Sequence, residues 1–283
     1  MFETVFQSCD WLQITGLLVS AILIGINKTA LPGIGTLPVI FLTLLFQAHL
    51  ATGLQLIMLC TADLIAVACY RRSANWKLVL RLLPCALGGI VLGSVTLHFV
   101  TDEILRYAIG IIILFMAALQ FIHKRWINPD KIPNHPAFIL LVGLVAGFTT
   151  QVANAAGPVM ALYLLAMRLP KEEYMGTCAW YFMILNWIKM PIFILEGRIT
   201  GEALLMDLPM LPIVLLGAFL GVLFLRKIKQ KTFETAIQIL IVLSAIYLLF
   251  PKGCFKSPDA VGNQEEQTVS LDLDANISTP LNP

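Results

Sequence analysis

The sequence predicts an all-α polytopic membrane protein made of two inverted repeats of about five membrane segments. Each repeat opens with a broken or re-entrant helix pair. Three observations point there. The 283-residue chain is 58% hydrophobic and only 13% charged, whereas soluble domains carry about a quarter charged residues. Its apolar residues gather in long blocks, many near the length that crosses a bilayer core. Two Gly/Pro-rich interruptions then sit at matching places in the two halves.

The apolar blocks cover residues 11–27, 36–46, 50–70, 78–100, 104–123, 137–149, 156–167, 174–195, 203–225 and 233–250. Unpaired backbone groups are costly in lipid, so each block reads as a helix. Blocks 11–27, 36–46, 137–149 and 156–167 are short. At about 1.5 Å per residue, 11–13 residues cannot cross a hydrocarbon core of roughly 30 Å. These four are expected as half-helices or strongly tilted pieces. The organisation that follows is a first membrane repeat at 1–123, a cytoplasmic linker at 124–136, a second repeat at 137–250 and a disordered polar tail at 251–283.

The halves echo each other. Leu83-Pro84, followed by Gly88, Gly89 and Gly93, matches Leu211-Pro212, followed by Gly217 and Gly221. Arg106-Tyr107-Ala108-Ile109 matches Glu234-Thr235-Ala236-Ile237, and Ala51-Thr52 matches Gly176-Thr177. The first break spans residues 25–38 and the second 147–158. Paired interruptions of this kind mark a transporter's binding site, because a break exposes backbone groups that lipid cannot satisfy. The competing reading is that Gly and Pro there only permit close helix packing.

Charge decides how the breaks are threaded. If each is a hairpin, one side of the membrane receives thirteen of the Lys and Arg residues outside the spans and the other only Arg106, Arg198, Lys252 and Lys256. If each is a kink within one span, the split is ten against seven. The positive-inside rule selects the first arrangement. It gives ten membrane segments, both termini non-cytoplasmic and the basic loops cytoplasmic, in the inner or plasma membrane of the cell.

Three ionisable residues stand inside apolar blocks or breaks: Lys28, Asp63 and Lys189. Such residues are expensive in a membrane and imply function. Lys28 lies in the first break, where an ammonium and exposed half-helix N–H groups together suit an anion. Its alternative is a lysine snorkelling to the interface. Asn186 and Lys189 share a helical face. Lys189 either pairs with Asp63 or contributes to the anion site or to proton coupling. Asp63 is the coupling candidate, and it stands nearly alone as an intramembrane acid, which argues against a metal cation as cargo. Asn27, Thr29, Gly33, Gly35 and Thr36 in the first break, and Thr149, Thr150, Gln151, Asn154 and Gly157 in the second, complete the candidate substrate site. Hydroxyl and amide donors suit an oxyanion, whose oxygens only accept hydrogen bonds. The same groups can also cap the half-helices.

Other signals exclude more than they add. Cys9, Cys60, Cys69, Cys85, Cys178 and Cys254 form no CxxC pair, and the four histidines show no metal-ligand spacing, so neither metal nor cofactor is expected. No HExxH, GxSxG or paired catalytic carboxylates occur within the blocks, which argues against an enzyme. The sequence has no basic tract or aromatic RNA-type motif, so no nucleic-acid partner is expected. Met1–Asp10 lacks a basic n-region and reads as mature chain. Trp76, Trp180 and Trp187 read as packing or interface anchors. The expected partners are a small anion, the lipid bilayer, a coupling proton and a second copy of the chain.

These motifs together resemble the TauE/SafE family of sulfite exporters and related permeases. The resemblance rests on Gly33, Gly35 and Pro38, on the run 143–158 with Gly147-Phe148 and Gly157-Pro158, and on Gly176-Thr177 followed by Asn186, Lys189 and the turn 197–201. It spans nearly the whole chain except the tail. The chain departs from the family pattern at Ala153-Asn154-Ala155-Ala156, where the family is richer in glycine. The resemblance implies secondary transport of a small sulfur oxyanion, sulfite or an organosulfonate. An anion channel, or a permease for an unrelated small solute, is the alternative.

Overall fold

The computed structural model describes residues 10–30, 35–101, 136–167 and 169–227, with positions 104, 105, 107, 111, 229 and 232. Gly33, most of 104–123, the linker up to residue 135, the segment 233–250 and the tail fall outside them. Nine α-helices have both ends among the described residues, and no strand occurs there. They are α1 (Trp11–Thr29), α2 (Thr36–Leu45), α3 (Ala48–Tyr70), α4 (Trp76–Leu97), α5 (Pro136–Ala153), α6 (Gly157–Ala166), α7 (Lys171–Leu195), α8 (Gly201–Asp207) and α9 (Leu211–Lys227). A 3-10 turn at Leu208–Met210 joins α8 to α9.

Among the described residues, six stretches are long and apolar enough to cross a membrane. This corrects the sequence reading at two points. Blocks 11–27 and 137–149 were expected to be too short, yet α1 has 19 residues and α5 has 18, and both are of spanning length. The reason is physical. Asn27, Lys28 and Thr29 in one helix, and Thr150 and Gln151 in the other, end the apolar run but not the helix. Neighbouring helices bury and pair Lys28, Thr29, Thr150 and Gln151 in place of lipid. Helices α2 and α6 have ten residues each and remain too short, at about 15 Å.

Helix ends are held by specific groups. The Asp10 N–H donates to Gln13 Oε1 (3.0 Å), half of a capping box at the start of α1. Asn75 caps α4 by accepting from the Leu78 N–H (3.3 Å) and ties it to α7 through Asn75 Nδ2 to Glu173 Oε1 (2.7 Å). Thr200 caps α8 by accepting from the Ala203 N–H (3.2 Å).

Glycines set the closest helix contacts. α5 lies along α4, and α1 along α9. A Cβ at Gly147 would meet the Ala86 backbone, and one at Gly89 would meet the backbone of Leu144 and Gly147. Likewise a Cβ at Gly25 would meet the backbone of Val214 and Ala218, and one at Gly217 that of Ile22. Small residues allow such backbone approach in membrane bundles, where packing rather than water drives association. α3 packs against α7 between these pairs. The outer faces stay apolar, with Leu80, Val91, Leu92 and Val95 on α4 and Leu216, Phe219 and Leu220 on α9 exposed for lipid.

Candidate functional site

The first break begins where α1 ends. Lys28 sits in the last turn of α1, at its carbonyl end, and not among exposed N–H groups as the sequence suggested. A cation is favoured there by the helix dipole. Its ammonium meets Asp63 Oδ1 of α3 at 2.7 Å and lies 4.5 Å from the Phe182 ring centre. Asp63 is fully buried, and its other oxygen accepts from Asn186 Nδ2 of α7 at 2.6 Å. One carboxylate thus joins three helices. The Asp63–Lys189 pairing considered from the sequence is not made. Asn186 faces the acid, and Lys189, one turn on, reaches the second break.

Lys189 is fully buried and donates to the Thr150 carbonyl (3.0 Å), Thr150 Oγ1 (2.9 Å) and Asn154 Oδ1 (2.7 Å). Three acceptors match the three donors of an ammonium, and all three are neutral. Asn154 adopts φ +51°, a left-handed conformation that favours glycine but that Asn tolerates. Its amide repays the strain locally: Asn154 Nδ2 donates to the Thr52 carbonyl (2.9 Å) and Gln55 Oε1 (3.3 Å) of α3.

The breaks also differ in how their carbonyl ends are closed. The Tyr70 hydroxyl donates to the Thr29 carbonyl (2.9 Å). In the second break Arg198 Nη1 donates to the Gln151 carbonyl (3.1 Å). Arg198 was read from sequence as a loop residue, but it is fully buried, with Nε 3.1 Å from Glu196 Oε2 and its guanidinium 4.4 Å from the Phe193 ring centre. Glu196 in turn accepts from Ser94 Oγ (2.8 Å) and Gln151 Nε2 (3.1 Å).

A cavity lies between the two breaks. It is lined by Asn27, Lys28, Gly35, Thr150, Asn154, Gly157 and Asn186 among the predicted residues, and also by Cys178 and Phe182. The space that the centre of a water molecule can reach is about 30 Å³, room for one or two waters. Its size suits a compact ion. Neither α2, which follows Gly35, nor α6, which follows Ala156, has a side-chain cap. Gly35, the N-cap of α2, and Gly157 and Pro158 of the first turn of α6 line the cavity. The N–H groups that suit an anion are therefore those of α2 and α6, while the cations come from other helices, Lys28 from the end of α1 and Lys189 from within α7.

Not every predicted residue is at the cavity. Thr149 Oγ1 turns back to the Val145 carbonyl (2.7 Å) of its own helix. Thr29 Oγ1 bonds the carbonyls of Gly25 (2.9 Å) and Ala218 (2.8 Å), locking α1 to α9. Gln151, Lys189 and Asp63 stand behind the wall. Gly33 and the side chain of Thr36 lie outside the described residues. Sequence reasoning missed Tyr70, Arg198, Glu196 and Asp207. Asp207 corrects the reading of Asp63 as a nearly solitary intramembrane acid, since it is fully buried in the span Gly201–Leu225. It was visible in block 203–225, flanked by Leu204, Leu205, Met206 and Leu208.

Comparison with known proteins places the chain. No curated protein and no solved structure matches it. The family model of the sulfite exporter TauE/SafE matches residues 17–248, which include both breaks and every described helix that lines the cavity. With most of the chain matched, the chain belongs to the sulfite exporter TauE/SafE family.

Proposed function

We propose that the chain is a secondary transporter that binds a small sulfur oxyanion, sulfite or an organosulfonate, in the cavity between its two breaks. The observation that carries this is the charge and donor balance around that cavity. The Lys28–Asp63 and Arg198–Glu196 pairs each cancel, and Lys189 adds a cation whose partners are all neutral. An anion entering among the uncapped starts of α2 and α6 supplies the missing negative charge. Coulombic attraction is strong there because the surroundings are of low dielectric.

The architecture assigned to this function is a pair of inverted repeats, 1–123 and 137–250, joined by the linker 124–136 and followed by the tail 251–283. The short helices α2 and α6 act as re-entrant arms. What supports the repeat is the mirrored pairing of α1 with α9 and α5 with α4, with α3 against α7 between them. The glycine contacts follow the same mirror: Gly25 with Gly217, Gly147 with Gly89. The Lys28–Asp63 contact in one half corresponds to the Thr150–Lys189 contact in the other. Basic loops face the cytoplasm of the cell membrane. Alternating access then rocks one half against the other about the central site.

Proteoliposomes loaded with unlabelled sulfite and given labelled sulfite outside test the proposal. Saturable uptake stimulated by unlabelled sulfite on the far side is expected. Absent flux, or large single-channel currents without counterflow, would refute a transporter. Lys189→Met removes the unbalanced cation without orphaning a carboxylate. The variant should fold and lose about 1–3 kcal/mol of anion binding, roughly ten- to hundredfold in apparent affinity. Parental kinetics in this variant would take Lys189 out of the site.

Cys178 offers a direct occupancy probe, since it lines the cavity. In a background with the other cysteines replaced by Ser, N-ethylmaleimide should label it each time alternating access opens the cavity to one side. A sulfonate at ten times its Kd should slow labelling about tenfold, by mass action. A sulfonate is the right competitor because sulfite itself adds to maleimide. Labelling unaffected by any transported anion would move the site elsewhere.

A further inference from the structure

We propose that Asp207 is the residue at which the protein takes up and releases a proton during transport, an inference that rests on the transport reading above. The other buried carboxylates set the standard. Asp63 is held by Lys28 and Asn186, and Glu196 by Arg198, Ser94 and Gln151. Asp207 is as deeply buried as Asp63, yet neither of its oxygens has a hydrogen-bond partner among the described residues. A bare carboxylate in apolar surroundings is severely penalised. The form that can rest there is the neutral acid, so the ligand of this site is a proton.

The surroundings favour a proton over a metal cation. Asp207 shares a helical face with Ala203 and lies three residues before Met210. Both belong to one apolar cluster with Leu17, Ala21 and Ile24 of α1 and Leu54 and Met58 of α3. No group of three His, Cys, Asp or Glu residues that could hold a metal occurs among the described residues. The charged and titratable groups of the packed elements are otherwise placed. On α8, Glu202 is exposed. α3 carries His49, Cys60, Asp63, Cys69 and Tyr70, and none of them bonds Asp207. α1 carries Lys28, which Asp63 engages, and α9 has Arg226 and Lys227 at its far end.

Two features suggest that the acid moves between environments. It ends α8 where the span breaks into the 3-10 turn Leu208–Met210, a hinge-like irregularity inside a span. When the halves are aligned on Leu83-Pro84 and Leu211-Pro212, the counterpart of Asp207 is Val79, fully buried in the unbroken helix α4. Packing at this position is met by a valine in the other half, so packing alone does not call for an acid. The helices of this cluster carry two more buried polar atoms without partners among the described residues, Ser20 Oγ on α1 and Gln55 Nε2 on α3. Gln55 already bonds Asn154 of the second break.

The first test needs no substrate. Dicyclohexylcarbodiimide adds to protonated carboxyl groups in apolar sites. With the full-length protein in detergent, mass spectrometry should find the adduct on Asp207 at neutral pH, diminishing as pH rises, and none on Asp63. No adduct on Asp207, or one on Asp63 instead, would overturn the proposal. The second test uses proteoliposomes and a labelled sulfonate, whose charge does not change with pH. Asp207→Asn should keep counterflow but lose acceleration by an imposed pH gradient, and a sodium gradient should have no effect on the parent. A variant still driven by pH as the parent is would also overturn the proposal. Failure of the parent to move any sulfur oxyanion, with Asp207 still labelled, would instead refute the transport reading alone.

Discussion

Lys28→Met is expected to cost the protein most of its stability, and not merely its transport. The substitution leaves Asp63 fully buried with Asn186 as its one remaining hydrogen-bond donor. Removing one partner of a buried ion pair costs about 3–5 kcal/mol, because the other charge is left uncompensated. Folded proteins have only about 5–15 kcal/mol in total. The expected result is a sharp loss of monodisperse protein on size exclusion and a lowered melting temperature in detergent. The double variant Lys28→Met/Asp63→Leu removes both charges and should recover most of the stability, since an apolar replacement of a buried pair is often neutral or better. It should not recover transport, because the cavity has lost its lining cation. Acid should partly rescue the single variant, since a protonated Asp63 needs no counter-charge. A single variant as stable as the parent at neutral pH would show that the ion pair is not what holds Asp63.

The second large effect is expected at Gly147. A Cβ there would run into the carbonyl oxygen, carbon and Cα of Ala86. These are backbone atoms, so no side chain can turn aside and α4 and α5 must move apart. Overpacking a tight site typically costs about 1–3 kcal/mol, which sets the scale for Gly147→Ala, and Gly147→Leu should exceed it. The displacement also travels along α5 to Thr150 and Asn154, which hold Lys189, so transport should fall even where protein survives. Gly201→Ala is the control, because a Cβ at Gly201 meets nothing within 4 Å. Equal melting temperatures for Gly147→Leu and Gly201→Ala would contradict the backbone contact between α4 and α5.

Both predictions differ from what the sequence alone would have suggested. Read as a chain, Lys28 looked like a contributor to an anion site or a lysine snorkelling to the interface. Only its pairing with Asp63, 35 positions on, turns the residue into a structural necessity. Gly147 looked like the first residue of the second break. In the structure it lies inside an 18-residue helix, and its missing side chain serves contact with a neighbouring helix.

The sequence by itself determined the environment, the helical content, the two interruptions and the family, and it named most of the residues around the cavity. Those properties are local: the cost of an unpaired backbone group or a charge in lipid acts on a segment whatever its neighbours are. Tertiary structure alone decided which charges meet, that Arg198 is buried, that Thr149 turns back to its own helix and that Asp207 has no partner among the described residues. Such choices depend on the rotation and depth of each helix against the next. Side-chain-sized differences at glycine contacts such as Gly25–Gly217 and Gly147–Gly89 set those quantities, and hydropathy along the chain does not encode them.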